Sequence, residues 1–152
     1  MEDKKIGNAR HIDDEINDLV DKKLPIVLDV DGTVVKHHYP KLGEDAPHCV
    51  NVLKKWTDNG VGIIIDTMRS GKELDEAVEW FKKRGIPIYG IGKEPNQHKW
   101  TDSPKAYGVL SVDDRNLGVP LVYEDGERPY VDWTKIDKFY SEAILKMSKK
   151  FK

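Results

Sequence analysis

The 152-residue chain has a single cysteine, Cys49. One thiol excludes an intramolecular disulfide and a cysteine-rich metal site. Long hydrophobic runs are missing as well: no apolar stretch reaches the length of a membrane span or of a signal-peptide core, so the expectation is a soluble, cytoplasmic chain. Neither sign of charge dominates, with 25 basic residues against 27 acidic ones and a formal net charge of -2. No global field therefore favours nucleic acid or an anionic membrane as partner. The five histidines, His11, His37, His38, His48 and His98, lack metal-site spacing and read as mostly surface. Repeats, low-complexity tracts and linkers are absent, and the length suits one domain, 1–152, with one core.

What the chain does have is a set of short, concentrated apolar runs, at 25–28, 61–65, 86–91 and 109–112. Each has the length and composition of a buried strand. Between the first two lies APHCVNVLKKWTDNG, with Val50, Leu53 and Trp56 on one helical face and Asn59-Gly60 as a stop. Between the next two lies GKELDEAVEWFKKRG, with Leu74, Ala77, Val78 and Phe81 facing inward and Gly85 as a stop. Strand alternating with helix predicts an α/β fold: a Rossmann-like, doubly wound parallel sheet with helices on both faces. Around this core of 25–118, residues 1–24 read as an amphipathic helix carrying Ile12, Ile16, Leu19 and Val20. Residues 119–152 read as a small hairpin turning at Asp125-Gly126 and a terminal helix over 133–147.

The first apolar run continues into VLDVDGTVV, residues 27–35, and so ends in two aspartates one residue apart. An unpaired carboxylate at the mouth of an apolar sheet is costly and calls for a cation, strong donors or a retained proton. A plain turn at Asp31-Gly32 is the simpler reading, but it leaves Asp29 unexplained. In open α/β sheets, ligands bind beyond the carboxyl ends of the strands. There the first strand ends in Asp29-Val30-Asp31, the second in Asp66-Thr67 and the fourth in Asp113-Asp114, with Lys105 of SPKAYG just ahead of the fourth. Taken singly, Thr67 could be a strand residue or a helix N-cap, Lys105 a solvated lysine and Asp113-Asp114 the start of a turn. Trp100 reads as a structural indole before a stacking one, and GIGKEP, residues 90–95, is too short for a phosphate-binding loop.

DVDGT, a threonine closing an apolar strand, a lysine, and an apolar strand ending in DD resemble, in that order, the four motifs of the haloacid dehalogenase superfamily of aspartate-nucleophile phosphatases. The stretches TMRSGKELDEAVEW, SPKAYG and VDDRNLG also resemble a small subgroup of bacterial and phage members. The resemblance implies Asp29 as nucleophile and Asp31 as general acid and base. It implies Mg²⁺ held by Asp29, the backbone carbonyl of Asp31 and Asp113, with Asp114 as a further ligand or an orienting neighbour. Gly32, Thr33, Met68 and Arg69 would line the phosphoryl site, Thr67 would donate to it, and Lys105 would neutralise its charge while restraining Asp29. The loop of His37, His38 and Tyr39 falls where the superfamily has a flap. The short intervals between motifs leave no room for a large cap domain. Asp66 is unusual before the threonine; Arg69 is a candidate partner for it.

The implied substrate is a phosphorylated molecule of unknown leaving group, and a homo-oligomer is left open. Two other classes stay in view. A receiver-like switch also uses an acidic pair, a phosphorylated aspartate, a hydroxyl and a lysine, but with the phosphorylated aspartate on the third strand; a phosphotransferase on the same scaffold, passing the group to an acceptor other than water, stays open beside it. A binding protein on the same scaffold would have no need of the full acidic set.

Overall fold

In the computed structural model the described residues are 22–151, so the helix expected near the N-terminus lies outside them. The elements are β1 (Leu24–Leu28), α1 (Cys49–Asp58), β2 (Val61–Ile65), α2 (Gly71–Lys83), β3 (Gly90–Ile91), β4 (Leu110–Val112), β5 (Leu121–Val122), β6 (Tyr130–Val131) and α3 (Trp133–Phe151). A single 3-10 turn, Gln97–Lys99, lies between β3 and β4. Among the described residues no helix is long and apolar enough to cross a membrane.

β1 and β2 are buried at every position, which is why LPIVL and VGIII are apolar without alternation. The main sheet runs β3-β2-β1-β4 with all neighbours parallel, and β5 pairs with β6 in a small antiparallel hairpin. This is the α/β, Rossmann-like arrangement expected from the alternating pattern. Successive right-handed crossovers from β1 to β2 to β3 put α1 and α2 on one face. There Leu24, Ile26, Leu28, Ile63 and Ile65 join Leu53 and Trp56 of α1, Phe81 of α2 and Ile136 and Ile144 of α3 in one core. Val27 and Ile64, also buried, alternate to the other face and lie outside that cluster.

Two elements differ in extent from expectation. β3 has two residues rather than the run 86–91, because Gly85 takes a positive φ of 71° and the Ile86 amide bonds back to Phe81 of α2. Pro87 next removes a ladder donor, so regular pairing begins only at Gly90. α3 continues four residues past 147, to Phe151. It is fixed at its start by two indoles: Trp133 packs edge-on to Trp56 at 5.7 Å, and Trp56 Nε1 donates to Ser141 Oγ at 2.9 Å. Both rings are fully buried, and burial of that size makes the pair a principal anchor between α1 and α3.

Candidate functional site

Strand register brings the acids together. Leu28 is level with Ile65 of β2 and with Val112 of β4, so the next residues, Asp29, Asp66 and Asp113, leave three adjacent parallel strands side by side. Pairing persists one step further, with the Asp29 amide donating to Val112 O at 3.0 Å and the Asp66 amide to Leu28 O at 2.9 Å. The chain then turns sharply over VDGTV. Gly32 N donates to Val35 O at 2.7 Å, Thr33 N donates to Val30 O at 3.1 Å, and Gly32 sits at φ 81°. A side chain at Gly32 would be strained and would collide with the His37 ring and the Asp114 carboxylate.

Asp29, Asp113 and Asp114 each offer a carboxylate oxygen, all within 4.8 Å of one another. Burial, reinforced by repulsion from Asp113 and Asp114, pushes the Asp29 carboxyl up to about 7 against a stabilising hydrogen bond from Thr33. Burial likewise raises Asp113, opposed by the amide of Arg115. Three hard oxygen donors so close together form a donor set suited to a hard divalent cation, and unsuited to a thiophilic one. Cys49 offers no competing chemistry: it is fully buried and burial pushes its thiol up to about 12.

Thr33 is bound into the scaffold rather than open to a phosphoryl group. It is fully buried; its hydroxyl donates to Asp29 Oδ2 at 2.9 Å and accepts from the Asp114 amide at 3.1 Å, while its carbonyl receives Trp133 Nε1 at 2.7 Å. The expected phosphoryl-lining role for Thr33 gives way to a bridging one. His37, expected at the surface, has only 13% of its side chain exposed, and its Nε2 lies 2.8 Å from Asp114 Oδ2.

Asp31 stands outside the carboxylate trio. Arg69 grips it with Nε to Oδ2 at 2.7 Å and Nη2 to Oδ1 at 2.8 Å. The expectation that Arg69 faces substrate or pairs with Asp66 is therefore corrected. Its side chain is 1% exposed and Asp31 satisfies it, whereas Asp66 is exposed and makes no ion pair among the described residues. Met68 is 91% exposed beside it. Thr67 Oγ1 accepts the Arg69 amide at 3.1 Å, which leaves its own proton available to a ligand.

Lys105 does not join the acids. Its amide bonds Ser103 Oγ, its carbonyl accepts Gln97 Nε2, and its side chain is exposed with no contact to Asp29 among the described residues. It precedes Gly108, which abuts Pro25 and Val27, and Val109, whose amide bonds Pro25 O, so it enters β4 from the end opposite Asp113. Lys93, in the stretch GIGKEP, instead follows β3 by two residues, at the strand-end edge that carries Asp29, Asp66 and Asp113. A lysine directly after a strand's carboxyl end was the available signal. Nothing local marked His37, whose partner lies 77 residues away.

No family model matches the chain, and no curated protein matches it. Among solved structures, that of a conserved protein from Bacteroides thetaiotaomicron is similar at 32% identity and a TM-score of 0.66, covering 86% of this chain and 99% of that one. Identity at that level over nearly the whole of that protein means that the chain belongs to the same family as this conserved Bacteroides thetaiotaomicron protein.

Proposed function

We propose that the chain is a Mg²⁺-dependent phosphomonoester hydrolase of the haloacid dehalogenase type, working through an aspartyl-phosphate on Asp29. The observation that carries this reading is the division of labour among the acids: Asp29, Asp113 and Asp114 cluster, while Asp31, two residues from Asp29, is held apart by Arg69. A metal-binding role alone would not require that separation. Mg²⁺ in the trio would offset the negative charge of Asp29 and of an incoming phosphoryl oxygen.

The remaining chemistry belongs to the chain. An Asp29 carboxylate oxygen attacks phosphorus as the bond to the leaving oxygen breaks, and protonated Asp31 gives that oxygen its proton. Asp31, now a carboxylate, takes a proton from water as the water attacks phosphorus, and the Asp29–phosphorus bond breaks to release phosphate. Thr67 donates its hydroxyl proton to the phosphoryl group, and Lys93 takes the charge-neutralising role expected of Lys105.

Phosphate release from a panel of phosphomonoesters that includes para-nitrophenyl phosphate, with Mg²⁺ or with chelator, tests the reading in the native chain and in Asp29→Asn. Metal-dependent turnover lost in the variant is the expected result. Turnover that survives Asp29→Asn would overturn it; absent turnover with beryllofluoride uptake at Asp29 would replace it with a switch or phosphotransferase.

A further inference from the structure

We propose that Arg69 is a positioning residue that ties the exposed 39–41 loop and the Asp31 carboxylate into one unit, an inference that rests on the phosphatase reading only for its catalytic consequence. A guanidinium has five N–H donors, and in Arg69 each has an acceptor. Nε and one Nη2 hydrogen go to the two oxygens of Asp31. The other Nη2 hydrogen goes to Lys41 O at 3.0 Å, and Nη1 to Pro40 O at 3.1 Å and, more weakly, to Glu73 O at 3.4 Å. The Tyr39 ring lies over the guanidinium, 5.1 Å from it.

The loop's flanks have other anchors: Lys36 pairs with Glu44 and Glu124, and Asp45 holds Trp80 and Arg84. Its middle does not. Tyr39, Pro40 and Lys41 are exposed, and the carbonyls of Pro40 and Lys41 converge on Arg69. Arg69, buried and cationic, is in turn compensated by Asp31. Removing either member of such a pair leaves the other charge buried and unpaired, so loosening Asp31 should loosen the loop, and the reverse.

The fork also has a chemical consequence. It engages both oxygens of the Asp31 carboxylate, at 2.7 and 2.8 Å, and so fixes which way that carboxylate faces. Arg69 thus holds Asp31 away from the cluster of Asp29, Asp113 and Asp114, where a fourth carboxylate would compete for the cation.

The test has two arms, both on the full chain after thermal melts establish folding. In native-state trypsin cleavage after Lys41, Arg69→Gln and Asp31→Asn are each expected to speed cleavage roughly tenfold, and the double variant no further. Unchanged cleavage in Asp31→Asn, or additive effects, would overturn the proposal; if Arg69→Gln does not fold, Asp31→Asn decides alone. In the kinetic arm, para-nitrophenyl phosphate has a leaving group that departs without an acid. Arg69→Gln is expected to keep the initial burst of para-nitrophenol while losing about 100-fold in turnover of an alkyl phosphate, with Arg69→Lys giving no rescue. Loss of burst and turnover in equal measure would mark a merely structural role and overturn it. Should the native chain release no phosphate from any ester, the phosphatase reading falls and the cleavage arm still decides the coupling.

Discussion

Thr33 donates its hydroxyl hydrogen to the Asp29 carboxylate at 2.9 Å, and the same oxygen receives the amide of Asp114 at 3.1 Å. One buried hydroxyl thus fixes the first and fourth strand ends relative to each other. Thr33→Val keeps the shape but leaves the Asp114 amide without its partner, a loss of about 1–3 kcal/mol. Thr33→Ser keeps both bonds and loses only a buried methyl, about 0.8 kcal/mol. Urea unfolding of the two variants side by side checks this; equal losses would deny the bridge its importance.

Stability of the chain in chelator should fall as pH rises. The folded-state pKa of Asp29 is raised to about 7, above an unfolded value of about 3.9. The folded state therefore holds a proton that the unfolded state releases, and the stabilisation this gives is lost as pH climbs from about 4 to about 7, with a plateau above. Asp113, also raised, adds to the same slope. Thermal midpoints at pH 5 and pH 8 should show the decline in chelator, and Mg²⁺ should reverse it at pH 8.

Asp29→Asn removes the charge at the centre of that repulsion. In chelator at pH 8 its thermal midpoint should exceed that of the native chain by about 2–4 °C for each kcal/mol of repulsion relieved. The added stabilisation by Mg²⁺ should shrink sharply in the same variant. Scanning fluorimetry with and without the cation reads both effects.

His37→Ala tests the contact between His37 Nε2 and Asp114 Oδ2. A partner that orients a cation ligand typically accounts for about 10-fold or more in affinity. A Mg²⁺ titration by calorimetry should show a loss of that order, with the melting curve in chelator little changed.

Trp133→Phe withdraws the indole N–H from Thr33 O while leaving an aromatic ring against Trp56. The buried carbonyl loses its donor at about 1–3 kcal/mol. Because that carbonyl belongs to the residue bridging Asp29 and Asp114, phosphate release should fall as well, although Trp133 lies outside the acidic cluster.

The sequence by itself determined the sheet and the edge at which the acids meet. LPIVL and VGIII are apolar throughout because central parallel strands are buried on both faces, and the aspartates follow each run at its carboxyl end. Periodicity carries burial, so it located strands, helices α1 and α2 and the hairpin, and it failed at β3, where Gly85 and Pro87 interrupt an apolar run. Only the tertiary structure decided partners. Arg69 chose Asp31 over Asp66, His37 reached Asp114, and Thr33 became a bridge between Asp29 and Asp114. Those choices are made across long separations by loops without a period, where the deciding quantity is which buried charge or hydroxyl lies within hydrogen-bond reach.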